Sequence, residues 1–135
     1  MEKAEIGMRE FDYTVETPKS FEAAVAAVED RSAQKGFKVL CVHDVQATLA
    51  SKGISREPLK IVEICNATYV SRVLAKDIKI SLMLPCPISV YVEKEKVFIS
   101  ALRPRVIADF YPDAGIDDLA EEVDGIILSI VDAAR

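Results

Sequence analysis

Tryptophan is absent from this 135-residue chain, and histidine occurs once, at His43. Five glycines and six prolines are too few for a collagenous or disordered chain. No apolar run approaches the roughly 20 residues that cross a bilayer, so no membrane partner is expected. The opening Met1-Glu2-Lys3-Ala4-Glu5 is polar and does not read as a signal peptide, which points to a cytoplasmic address. Asn and Gln together number three (Gln34, Gln46, Asn66), a scarcity of thermolabile side chains that leans toward a thermophilic source. The three cysteines, Cys41, Cys65 and Cys86, form no C-x-x-C, and an odd count without an export signal reads as reduced thiols. Against these scarcities, half of the chain is apolar and 29% is charged. That is the composition of one soluble domain, spanning 1–135. A domain of this size buries about two-thirds of its unfolded surface and needs no metal or disulfide to fold.

Charge is unevenly placed. The net is −5, yet from Asp113 onward there are seven acids and one base, so residues 1–112 carry 16 bases and 15 acids. Lys and Arg are scattered singly, the densest pair being Arg103-Pro104-Arg105. Neutralising phosphates takes clustered cations, so no nucleic-acid partner is expected.

Hydrophobic period divides the chain into elements. Residues 9–16 alternate, with Phe11, Tyr13 and Val15 facing a core, as in a strand with one wet face. Thr17 as N-cap and Pro18 at the first helical position open a helix that Gly36 ends. Its buried stripe is Phe21, Val25 and Val28, and Ser32 reads as the point where that stripe fades. Residues 37–43 form a strand placing Phe37, Val39, Cys41 and His43 on one face. A short helix over 44–53 follows, capped by Asp44 and stopped by Gly53. Leu59–Cys65 is mostly apolar on both faces and reads as a central strand. Asn66 or Thr68 caps a short helix over 69–75. Residues 80–84 and 88–93 read as strand, interrupted by Pro85-Cys86-Pro87, where two missing ladder donors make a bend, bulge or edge. A charged turn over 93–96 leads to a returning strand over 97–102. The final helix, 116–134, carries Ile116, Leu119, Val123, Ile127 and Ile130 as its stripe, widened by Ile126 and Val131. Its acidic first turns complement the helix dipole. The expected fold is α+β: a single, mostly antiparallel sheet in β-α-β(4)-α order, with two long helices on one face and short extra helices in the connections.

Catalytic motifs are missing. There is no G-x-G-x-x-G, phosphate-binding G-x-x-x-x-G-K-[ST], G-x-S-x-G or H-E-x-x-H. The chain therefore leans away from being an enzyme, and no catalytic residue is assigned. Cys41 and His43 supply two potential ligands where zinc takes four, or three plus water, so no metal site is assigned. Cys41 reads as a small core residue and His43 as a strand-end residue near the surface. Cys65 and Cys86 are more informative. Cys65 precedes the helix-capping Asn66, and a thiol near a helix N-terminus feels its positive end. Glu63, two residues earlier, shares the strand face of Cys65 and is either its base or a charge that raises its pKa. Equally, both thiols can be buried packing residues.

The segments Ile61-Val62-Glu63-Ile64-Cys65-Asn66 and Leu82-Met83-Leu84-Pro85-Cys86-Pro87-Ile88-Ser89-Val90-Tyr91 resemble the domain-of-unknown-function 302 family. Its hallmark is a Cys-Asn closing one strand and a Leu-Pro-Cys opening another. The opening helix and the tail Val97-Phe98-Ile99-Ser100-Ala101 extend the resemblance over nearly the whole chain. It implies a β-α-β(4)-α fold like that of the TATA-binding protein and a small, often homodimeric protein, with no established activity. The motif points to Cys65, Asn66, Pro85 and Cys86.

The leading expectation is a non-enzymatic homodimer that binds an unknown small molecule in a pocket near the Cys65 and Cys86 segments. The alternatives are a thiol-based redox, persulfide, soft-metal or haem site on those cysteines, or a structural partner protein in which they only pack. The cofactor is unknown. Apolar surplus supports the dimer: Leu59–Cys65 and residues 82–91 look apolar on both sides, more than two helices cover.

Overall fold

The computed structural model describes residues 10–135. Arg9 and the leading pentapeptide lie outside the described residues. Five strands form one antiparallel sheet: β1 (Asp12–Thr17), β2 (Lys38–Asp44), β3 (Leu59–Cys65), β4 (Cys86–Glu93) and β5 (Lys96–Leu102). Their spatial order is β1-β5-β4-β3-β2. The meander from β2 to β5 is consecutive in space, and β1 adds to its far edge. Helix α1 (Phe21–Gln34) therefore crosses the whole sheet to join the two edge strands. It packs beside α5 (Asp117–Ala134) on the same sheet face, and both contribute to one core. The α+β architecture with both long helices on one face is as expected. Three short helices lie in the connections: α2 (Val45–Ala50), α3 (Ala67–Lys76) and α4 (Arg105–Phe110).

Local chemistry explains the boundaries, including those that differ from expectation. Thr17 does not cap α1. It pairs with Val97 as the last rung of β1, and its Oγ1 accepts the Lys19 N–H at 3.2 Å. Ser20 caps instead, accepting from the Ala23 N–H at 3.1 Å. At the other end, Gly36 adopts φ 84°, and the Phe37 N–H reaches back to the Ser32 carbonyl while the Gly36 N–H reaches Ala33. This Schellman closure draws Phe37 over the last turn. The stripe does not fade there: Ser32 is fully buried, and its Oγ has no hydrogen-bond partner among the described residues. The β4–β5 turn has Lys94 and Glu95 both at positive φ, the backbone of a type I′ hairpin.

Three further differences bear on the site. Residues 80–84 are not a strand: Asp77 accepts the Lys79 N–H at 2.9 Å and starts a 3-10 turn, Ile78–Met83, that buries Ile80. Helix α4 was not foreseen. Pro104 starts it, and it buries Val106, Ile107 and Ala108. Phe11 precedes β1 and stays 40% exposed, while Tyr13 and Val15 pack on the core.

The interior falls into two clusters. The larger lies between the sheet and helices α1 and α5. The smaller gathers Ile80, Ile107, Ala108, Ile116 and Ala120 between the 3-10 turn, α4 and the start of α5. A partly buried ion pair ties these parts together: Arg103 Nη2 lies 2.7 Å from Oδ2 of the buried Asp124, with the Arg105 backbone N–H also directed at Asp124. Among the described residues, no helix is long and apolar enough to cross a membrane.

Candidate functional site

The seam between the two clusters is open. A narrow cleft there offers about 40 Å³ of room, within walls drawn from Phe37, Ile64, Val73, Ile107, Leu119 and Val123. Three of the residues singled out by sequence, Asn66, Pro85 and Cys86, line it as well. Its surface is almost wholly apolar.

Asn66 holds the cleft's frame. Its Oδ1 accepts the N–H groups of Thr68 and Tyr69 and caps α3, while its Nδ2 donates to the Gly36 carbonyl at 3.0 Å. One side chain thus fixes the start of α3 against the turn that ends α1. Tyr69 continues the frame: its ring stacks on Phe37, and its hydroxyl donates to Glu122 on α5 at 2.6 Å. That hydrogen bond to a carboxylate raises the Tyr69 pKa. On the far side, Tyr111 donates to the Lys79 carbonyl at 3.0 Å and ties α4 to the 3-10 turn. Pro85 follows a cis peptide bond with Leu84 and turns the chain into β4.

Cys86 opens β4 and pairs with Ile64 on the helix-covered face. Burial pushes its thiol from 9.0 up to about 11, and the nearby Cys65 adds a smaller push in the same direction. At neutral pH it is a neutral, apolar lining group. Cys65 is half-buried and does not line the cleft. Strand alternation from Ile64 carries it to the opposite face. Both thiols are free.

Glu63 is hydrogen-bonded across the sheet. Its Oε1 lies 3.0 Å from Nε2 of His43 on the neighbouring strand. Cys41 joins them, with its Sγ 3.8 Å from His43 Nδ1. Cys41 is exposed, so its expected place in the core is not realised. The cause is a β-bulge between Val39 and Cys41. Phe37 and Val39 face the core as expected, but the extra residue, Leu40, switches the alternation, so Cys41 and His43 face away. The sequence pattern pairs Cys41 with His43 and sets Glu63 beside Cys65 alone, because the bulge leaves no signal in the apolar pattern.

Residues 13–134 match the family model for "Domain of unknown function DUF302". The chain belongs to the DUF302 family. A crystal structure of an uncharacterised conserved DUF302 protein from Bacillus stearothermophilus superposes with a TM-score of 0.88 at 26% identity, covering 94% of this chain and all of that one. No curated protein matches. The Cys-Asn and Leu-Pro-Cys segments of this DUF302 chain thus converge on one cleft, through Asn66, Pro85 and Cys86, with Cys65 behind its wall.

Proposed function

We propose that this protein is a non-enzymatic binding module whose apolar cleft takes a small, uncharged, largely apolar molecule. The observation that carries this reading is the cleft's chemistry: an apolar seam between two hydrophobic clusters, framed by Asn66 and Tyr69 and lined by a thiol kept neutral. Small-molecule sites are concave and mostly apolar, with few polar groups at fixed places. The room of about 40 Å³ suits a xenon-sized guest as it stands and a larger one only if α3 or α4 moves outward.

Xenon is therefore the direct probe. Under xenon pressure, amide and methyl shifts at Val73, Cys86, Ile107 and Ala120 are expected, and Ala120→Phe, which fills the cleft, abolishes them. Native mass spectrometry of the purified protein reads the natural occupant, expected on the parent chain and absent from Ala120→Phe. Val73→Phe fills the cleft from the other wall should the first variant unfold. Xenon shifts confined to other parts of the molecule, or unchanged by both fillings, overturn the reading.

We also propose a homodimer that works among reduced thiols in the cytosol. The helix-free sheet face supports it: Leu59, Ile61, Pro87, Tyr91, Phe98 and Leu102 alternate onto that face, and a second copy of it is a fitting cover.

A further inference from the structure

We propose that Cys41, His43 and Glu63 form a zinc site on the helix-free face of the sheet, opposite the cleft. The three donor atoms already lie within 4.8 Å of one another. Thiolate, imidazole and carboxylate are the donor types zinc selects, and three protein ligands plus a water make its open, four-coordinate form.

The backbone holds these donors, and no loop has to order around the ion. Cys41 and Glu63 are directly opposed in the β2–β3 ladder, and His43 stands two residues from Cys41 on the same face. The bulge between Val39 and Cys41 brings both β2 side chains onto the face of Glu63. Without it, continued alternation from Phe37 would send Cys41 and His43 into the core.

The donors lie close together, but the thiol meets one ring nitrogen and the carboxylate the other, so a shared ion needs a small rearrangement. Bonds of ~2.3 Å to sulfur and ~2.05 Å to nitrogen at a tetrahedral angle separate the two atoms by about 3.6 Å, and nitrogen from carboxylate oxygen by about 3.4 Å. The observed separations are 3.8 Å from Cys41 Sγ to His43 Nδ1 and 3.0 Å from His43 Nε2 to Glu63 Oε1. The imidazole stands between the other two groups. Its side chain is 50% exposed and that of Glu63 30%. Both can rotate to bring one ring nitrogen, the thiolate and a carboxylate oxygen to a common point without disturbing the core. The thiol proton leaves to solvent when the metal binds.

The test uses the full chain with zinc alone, titrated against a chromophoric chelator, and with cobalt as a spectroscopic substitute. One zinc per chain is expected, and cobalt should show thiolate-to-metal charge transfer. Cys41→Ser removes that absorption, and Cys41→Ser, His43→Ala and Glu63→Gln each weaken zinc by at least about tenfold. Cys65→Ser and Cys86→Ser leave both readouts unchanged. Because Cys41 and His43 are exposed and Glu63 is half-buried outside the core, circular dichroism should be the same for each variant. No stoichiometric binding, affinity indifferent to Cys41 and His43, or a cobalt band that vanishes only with Cys65 or Cys86 overturns the proposal.

Discussion

At Cys86 one buried thiol links the cleft to the stability of the whole fold. Its pKa is about 11 in the folded chain against an ordinary 9.0, with burial as the main cause. Between these values the unfolded chain releases the proton while the folded chain keeps it. Stability present below pH 9 is therefore lost as the pH rises toward 11, by on the order of 2 kcal/mol. Tyr13 and Tyr69, raised by their hydrogen bonds to Asp132 and Glu122, add losses of the same sign at higher pH. Urea unfolding at pH 8 and pH 10.5 checks this: Cys86→Ala should show a smaller drop between the two than the parent chain. An equal drop would mean that the thiol is not shielded. The resemblance of the Cys-Asn and Leu-Pro-Cys motifs to the family's pointed to Asn66, Pro85 and Cys86, which line the cleft. They could not show that Cys65 and Cys86 face opposite sides of the sheet, because the cysteines sit on different strands and only the β3–β4 register relates them. Nor could they place Glu63 beside His43, since that contact depends on the register between β2 and β3.

Among the elements, α3 depends most on a single side chain. Asn66 caps it and also donates to Gly36, whose φ of 84° ends α1. Replacement by Ala removes both roles and should cost about 1–2 kcal/mol. Replacement by Asp keeps the cap through its oxygen but loses the donor to Gly36, and should fall between the two. Urea unfolding of the three chains reads the order. If Asp matches Asn, the Gly36 contact carries no stability. The elements with their own period or cap were legible: α5 from its apolar stripe, α2 from Asp44, β3 to the residue. The 3-10 turn Ile78–Met83 and helix α4 were not. Each is six residues long, too short to show a helical period. Each rests on tertiary burial, of Ile80 in one and of Val106 to Ala108 in the other.

For the molecule as a whole, the decisive asymmetry is a sheet with helices on one side only. The β-α-β(4)-α order was legible because alternation, caps and hairpin turns mark it along the chain. The pairing of β1 with β5 was not written in any local pattern. On the uncovered face, Tyr91 stacks on Phe98 with ring centroids 5.6 Å apart, and Ile61 lies one strand over. If a second copy covers this face, Ile61→Lys and Phe98→Lys should convert a dimer to a monomer of 14.9 kDa in sedimentation equilibrium, with circular dichroism unchanged. Filling the cleft with Ala120→Phe should leave the dimer intact. A parent chain at 14.9 kDa across micromolar concentrations would sink the dimer.

Among the described residues, strand β1 has its only sheet partner far along the chain, with Thr14 opposite Ser100, 86 residues later. At a synthesis rate of roughly 5–20 residues per second, β1 waits some 4–17 seconds after it is made before β5 exists. In that interval α1 can pack only on the strands already made, and the meander can grow from β2 through β4 without β1. A ribosome stalled between β4 and β5 would hold a nascent chain with an unpaired leading strand and an open β4 edge, the combination that invites pairing between neighbouring chains. The architecture thus places its aggregation hazard in translation, ahead of any finished fold.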